Sequence, residues 1–250
     1  MSKRIGIVLS GGAVRGFAHI GVLMALEEKG IIPQYVSGTS AGSIIGAFYC
    51  AGYTPSQLFE IAEEINFLAH IRPNIVPKKS LFKIVNLDKT LKKYIKQTNI
   101  EDLPKPFFVG ISNLSDGVPE YWDKGDITTA LLCSSSLPFF FEPVCVNGKL
   151  YVDGGLMNNL PVEPLIDKCD YIIGVEVNPL WKEKNLNNIV SISLRSFYLA
   201  IRSNIEVRKR YCNVFIQPPS LSKIGLFELW KWKEAVKIGY EFVKNITFDV

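Results

Sequence analysis

One serine in this chain stands where a serine could attack a carbonyl carbon. Ser40 is the centre of G-T-S-A-G, with Gly38 and Gly42 two positions away on either side. That spacing suits a sharp turn between a strand and a helix. The flanking glycines let neighbouring backbone approach without a Cβ clash, and the turn points Oγ at a helix N-terminus, where unpaired N–H groups favour developing negative charge. The same five residues also suit an ordinary turn, so the chemistry needs a base and an oxyanion site from elsewhere. S-G-G-A-V-R-G at residues 10–16 is a second candidate. It lacks the Lys-Ser/Thr of a P-loop, has Ala13 where a dinucleotide fingerprint needs a glycine, and is followed by no acidic ribose partner, so it makes a poor phosphate cradle. As a nest of N–H groups it is better: if its strand lies parallel to and beside the one leading to Ser40, the amides near Gly12 and Ala13 face an oxyanion formed there.

A base is harder to find. The chain has two histidines, His19 and His70, and none lies beyond position 70, which excludes the Ser, acid, His order of α/β-hydrolases. His19 sits on the first helical pattern and reads as a packing or hydrogen-bonding residue; His70 falls in an irregular stretch. The remaining candidate is Asp153 in L-Y-V-D-G-G-L-M-N-N-L-P-V, at a strand end, where Gly154 and Gly155 leave room for another loop. An ordinary carboxylate, with a pKa of about 3.9, is a weak base for a hydroxyl, so a Ser–Asp pair requires Asp153 to be desolvated and held by hydrogen bonds. D-G-G alone also reads as a turn.

The elements that must position these residues form a layered α/β pattern. A β-branched run at 4–10 leads through the Gly loop to a helical pattern at 17–29, and Gly30 stops it. Q-Y-V-S runs into G-T-S-A-G, a small-residue helix follows as far as Gly52, and Thr54-Pro55 opens an amphipathic helix through about Asn66. Residues 67–86 lose periodicity and mix Pro73 and Pro77 with apolar side chains, which suits a partly apolar flap over an acyl groove. Later strands are expected at 107–111, at 144–152 around the hairpin signal Asn147-Gly148, at 171–177 and at 214–217. S-S-S-L-P-F-F-F-E-P-V is an aromatic cluster whose first reading is core. In Trp230-Lys231-Trp232-Lys233, helical spacing separates the two tryptophans, so at least one belongs to the core, with contact at a membrane surface as the other reading.

Composition narrows the class. A chain of 250 residues, 48% hydrophobic, is long enough for one sizeable core, and a single domain over 1–250 is expected. A net charge of +4 with interspersed signs gives no nucleic-acid tail. Five widely spaced cysteines in apolar contexts suit reduced thiols in cores, hence a cytosolic protein, with peripheral contact at the inner membrane face as the alternative location. Lys3-Arg4 precedes an apolar run too short for a signal sequence, and no cluster has metal-ligand spacing, so neither a metal nor another cofactor is expected.

Taken in order, L-S-G-G-A-V-R-G-F-A-H-I-G-V-L, G-T-S-A-G-S-I-I-G-A, S-S-S-L-P-F-F-F-E-P-V and Y-V-D-G-G-L-M-N-N-L-P-V strongly resemble the patatin-like phospholipase family. The resemblance runs through most of the chain, and C-N-V-F-I-Q-P with the late G-Y-E is similar to small bacterial members related to the neuropathy-target-esterase branch. It implies a three-layer α/β/α fold with a mostly parallel sheet and metal-free hydrolysis of lipid acyl esters. By motif it implies Ser40 as nucleophile, Asp153 as base, and Gly11, Gly12, Ala13 and Arg15 as the oxyanion loop, with Gly16, Gly38, Gly42, Gly154 and Gly155 as motif glycines. Ala13 departs from the glycine common there, although a backbone N–H survives the change. An acyltransferase using the same acyl-serine, and a non-catalytic lipid- or nucleotide-binding module, are the alternatives.

Overall fold

The computed structural model describes residues 3–65, 70–74, 80–180, 182 and 186–250. Five short runs, all but the second rich in Ile, Val and Phe, form the parallel part of one eight-stranded sheet: β1 (Ile5–Leu9), β2 (Tyr35–Thr39), β5 (Phe107–Asn113), β9 (Tyr171–Val175) and β10 (Val214–Ile216). Near-continuous apolar runs of this kind belong to strands covered on both faces. Along β1, Ile5, Ile7 and Leu9 enter one core and Val8 enters a second. The first core takes α1 (Ala18–Glu28), α2 (Ala41–Cys50), α3 (Pro55–Glu64), α4 (Leu87–Tyr94), α5 (Ile127–Ser135) and α7 (Trp232–Lys244). The second takes the 160–165 segment and Ile205 of α6 (Ile189–Lys209). The result is a three-layer α/β/α arrangement.

The strand order is β10-β9-β1-β2-β5-β8-β7, where β7 (Val144–Val146) and β8 (Lys149–Asp153) are antiparallel and β6 (Val118–Trp122) is a further antiparallel partner of β5. From β1 the chain first crosses to β2 on one side, and β9 later fills the other. The Gly loop after β1 therefore sits at the point where strand order reverses, the usual place for a crevice in an open parallel sheet.

The register around β5 sets up the site. β6 pairs with Val109 through Asn113 and so fills one edge of β5. On the other edge β2 pairs with Phe107 through Gly110, and β8, running the opposite way, pairs with Ile111 through Asn113. β2 and β8 thus meet end to end on a shared neighbour, with Thr39 opposite Gly110 and Asp153 opposite Ile111.

Most local signals hold. Thr54 caps α3 in a capping box with Gln57 and Pro55 opens the helix, which ends at Glu64. Asn147 and Gly148, both at positive φ, turn β7 into β8. The expected irregular flap is different in its described part: β3 (Ile71–Pro73) and β4 (Phe82–Ile84) form an antiparallel pair, stitched to the 139–141 loop by Leu81 N–H to the Phe139 carbonyl at 3.0 Å and Phe82 N–H to the Phe140 carbonyl at 2.7 Å. Phe67, Leu68, Ile75, Val76 and Pro77 of that expectation lie outside the described residues. All five cysteines are free thiols, but Cys145 on β7 is exposed and not in a core.

Candidate functional site

Ser40 is the hinge between β2 and α2. Its backbone lies at φ 53° and ψ −125°, a conformation side chains other than glycine adopt only under tertiary constraint. The constraint is visible. The Ser40 N–H donates to Ser134 Oγ at 2.9 Å, and that hydroxyl donates in turn to the Gly110 carbonyl at 2.7 Å, tying the turn to β5. A Cβ on Gly42 would stand 2.2 Å from the Leu9 carbonyl oxygen, and one on Gly38 would stand 2.6 Å from the Gly42 carbonyl oxygen, so both flanking glycines are required by close backbone approach.

Asp153 arrives from the opposite direction at the end of β8, 4% exposed. The Ser40 hydroxyl lies near enough to stabilise the charged form of its carboxylate, and the Gly155 N–H donates to Oδ1 at 2.8 Å. Burial raises its pKa from the ordinary 3.8 to about 6, against the opposing pull of Ser40 and the Gly155 N–H. The Asp153 N–H is held by the Ser136 carbonyl at 3.0 Å, and a Cβ on Gly154 would collide with the Gly110 carbonyl oxygen at 2.2 Å. The D-G-G turn is therefore seated on the same β5 junction as the serine turn.

The Gly loop lies beside this pair, since Leu9 is opposite Gly38 and a Cβ on Gly11 would come within 2.9 Å of Ser40 Cβ. Its members divide. The Gly11 N–H donates to Asn159 Oδ1 at 3.1 Å, and the Gly11 carbonyl accepts from Asn178 Nδ2 at 2.6 Å, so Gly11 is an anchored residue and not a donor. Gly12 and Ala13, the latter at φ 48°, line the cavity, and their amides donate to no described residue. Arg15 does not face the site: its N–H donates to the Gly12 carbonyl at 3.0 Å, its Nε donates to the Ile224 carbonyl at 2.7 Å, and the side chain is fully buried. It clamps the loop to the 219–224 segment. Gly16 lies against Ala41 at the start of α2, where a Cβ would meet the Ala41 Cβ at 2.4 Å.

Neither histidine touches the pair. His19 is wholly buried, its Nε2 is 2.8 Å from the Ser10 carbonyl, and desolvation lowers its pKa to about 4, so it is a neutral strut under the Gly loop. His70 borders the cavity with Nε2 2.7 Å from Thr90 Oγ1 on α4. Above Ser40 and Asp153 lies a cavity of about 300 Å³, and its described walls are almost entirely apolar, with Ile44, Ile45 and Phe48 of α2, Leu58 and Ile61 of α3, and Leu87 and Leu91 of α4. Of the three clustered phenylalanines, Phe141 lines this cavity, Phe140 is buried with its ring 4.9 Å from that of Phe227, and Phe139 is 65% exposed. Trp232 packs between Phe17 and Phe59 in the core, whereas Trp230 is 74% exposed. Among the described residues no group of His, Cys, Asp and Glu could hold a metal ion, and no helix is long and apolar enough to cross a membrane.

Sequence reasoning missed Asn159, Asn178 and Ser134. Asn159 and Ser134 lay inside motifs already singled out, N-N after D-G-G and the serine run, where the unusual density of short polar side chains in an otherwise apolar stretch was the available signal. Asn178 ends V-E-V-N-P, a polar pair closing a buried strand.

A family model described as patatin-like phospholipase matches residues 7–166, and the chain belongs to that family. Curated relatives include the protein named Lysophospholipase NTE1 of Meyerozyma guilliermondii, 26% identical over 98% of this chain and 19% of its own length. The protein of the same name from Candida glabrata is 28% identical over 97% of this chain and 16% of its own. The chain therefore spans about one fifth of the length of these relatives. Similar solved structures include VipD of Legionella pneumophila, with TM-score 0.55 at 18% identity over 97% of this chain and 66% of that one. The Pseudomonas aeruginosa ExoU–SpcU complex gives TM-score 0.52 at 18% identity over 96% of this chain and 50% of that one. At that identity the likeness speaks for the fold.

Proposed function

We propose that this chain, acting as one catalytic domain over 1–250, hydrolyses acyl esters of lipids through a Ser40–Asp153 dyad. One observation carries the reading: a strained serine, beside a buried carboxylate whose basicity is raised, opens into an apolar cavity. With a pKa of about 6, Asp153 is ionised at neutral pH yet basic enough to take a proton in the transition state. Ser40 Oγ attacks the ester carbonyl carbon as its proton passes to Asp153. The carbonyl oxygen becomes an oxyanion and is met by the amides of Gly12 and Ala13, already fixed in place by Arg15, Asn159 and Asn178. Collapse of the tetrahedral intermediate breaks the bond to the alcohol, which leaves with the proton from Asp153. Water then adds to the acyl-serine, giving its proton to Asp153, and the fatty acid departs as the proton returns to Ser40 Oγ. The relatives' name supports a single-chain lipid ester as substrate, and a cavity near the lower end of the range for small-molecule pockets agrees with it.

The test is hydrolysis of a monoacyl phospholipid by wild type and Ser40→Ala, read by mass spectrometry of the released fatty acid, together with fluorophosphonate labelling. Wild type is expected to release fatty acid and to carry the label on Ser40, and Ser40→Ala to do neither. Turnover by Ser40→Ala near the wild-type rate would refute the assignment.

A further inference from the structure

Helix α6 carries an unusual outer face. Ile189, Ile192, Ser196, Leu199 and Ser203 recur at helical spacing and are all exposed, with Ile189 at 80%, Ile192 at 49% and Leu199 at 47%. For about 21 Å of helix, at 1.5 Å per residue, this solvent-facing strip holds no charge. The charges of α6 lie off the strip: Arg195, Arg202, Arg208 and Lys209 against the single carboxylate Glu206. Arg195 leans over the Tyr198 ring at 5.5 Å, Arg202 pairs with Glu206 at 3.0 Å, and Arg208 pairs with Glu163 of the 160–165 segment at 2.6 Å.

The inner face of the same helix belongs to the site, because Tyr198 and Ile201 line the apolar cavity. Other segments bounding that cavity also push large apolar side chains outward: Phe139 beside cavity-lining Phe141, Phe227 at 43% exposure, and Trp230 beside cavity-lining Leu229. Single exposed aliphatics are ordinary on any protein. An uncharged strip of this length on one helix, together with exposed apolar side chains on segments that bound the same cavity, marks a surface with a partner. An uncharged apolar strip with cations beside it matches the boundary between head groups and acyl chains in an anionic lipid layer.

We propose that α6 lies on the surface of a lipid aggregate containing anionic lipid, with Ile189, Ile192 and Leu199 sunk to the acyl boundary and Phe139, Phe227 and Trp230 completing the contact around the cavity mouth. The assignment rests on the lipid-ester reading above.

The test is sedimentation of the protein with vesicles of phosphatidylcholine mixed with phosphatidylglycerol, and with vesicles of phosphatidylcholine alone. Wild type is expected to sediment with both, and more with the anionic ones. Ile192→Glu/Leu199→Glu is expected to lower partitioning on the order of 100-fold, and Val118→Glu, at an exposed position on edge strand β6, to leave it unchanged. Hydrolysis of a short soluble ester without vesicles should stay within about twofold for both variants, because neither position lines the cavity. Ile192→Ser/Leu199→Ser adds no charge and should show a smaller loss in the same direction, which keeps the test open if the glutamate pair fails to fold. Equal sedimentation of wild type and α6 variants, or no sedimentation of wild type, overturns the proposal. A concentration-dependent dimer that the same substitutions dissolve would assign the face to a second copy, and would also overturn it. If no ester is hydrolysed but the α6 variants still lose vesicle binding, the lipid surface stands and the esterase reading falls; hydrolysis without vesicle binding gives the opposite result.

Discussion

Replacing Asp153 by asparagine is expected to make the protein more stable at neutral and higher pH while removing most of its activity. Burial lifts the carboxyl pKa from 3.8 to about 6, and at 1.36 kcal/mol per unit this amounts to about 3 kcal/mol. The sign follows from proton binding: between the two values the folded protein binds a proton that the unfolded chain releases, so stability from this group is complete below the lower value and is lost as pH rises through about 6. Asparagine keeps an Oδ1 for the Gly155 N–H and a polar partner for Ser40, but has no charge to desolvate. The Tm difference between Asp153→Asn and wild type should therefore be larger at high than at low pH by about 6–12 °C, taking 2–4 °C per kcal/mol for a chain of this size. His19 acts in the opposite sense. With its pKa lowered to about 4 by burial, it costs stability as pH falls below 6.5, so the two groups partly cancel in the wild-type curve and only the comparison between the two proteins isolates Asp153. In parallel, kcat/KM should fall by about 10²- to 10⁴-fold, and the wild-type acid limb near 6 should disappear from the residual activity. A Tm difference that does not change with pH, or an acid limb that persists in Asp153→Asn and vanishes in His19→Gln, would refute the reasoning.

Ser40→Gly should be inactive yet more stable than Ser40→Ala by about 1 kcal/mol, because glycine occupies positive φ without a Cβ penalty; paired thermal melts check it. Asn159→Ala should lower kcat by roughly tenfold or more with KM little changed, since it frees Gly11 and loosens the amides of Gly12 and Ala13 without touching the acyl walls; an equal rise in KM alone would assign Asn159 to substrate binding instead.

The residues proposed to carry the chemistry stand out in the sequence because each interrupts a strong pattern. Ser40 and Asp153 both close buried strands and are flanked by glycines, and the order of their motifs along the chain is distinctive. The same motif logic overreached at Gly11 and Arg15. A run of residues beside a site reads as a set of donors, but which amide is free depends on long-range partners such as Asn159 and Ile224, far away in sequence. Strands β3, β4 and β6 escaped notice for a related reason: they are short, carry prolines or charges, and owe their form to pairing with β5 or with each other rather than to their own alternation. Helix α6 has apolar residues on both faces, so its amphipathic signal is weak where its exposure is most informative.

The meeting of β2 and β8 on one edge of β5 makes catalytic competence under the proposed reading a matter of strand registration. A slip of β8 by one residue along β5 would turn Asp153 to the opposite face of the sheet while leaving most backbone hydrogen bonds available. Such a molecule would look native to circular dichroism and have almost the native mass of buried surface, yet Ser40 would have no proton acceptor. The tight turn at Asn147-Gly148 then serves as a ruler, metering how far β8 travels before the carboxylate must appear. In preparations refolded from denaturant, the fraction of chains that take a serine-directed label should accordingly lag behind the fraction that has regained secondary structure, and the gap between them would count the misaligned population.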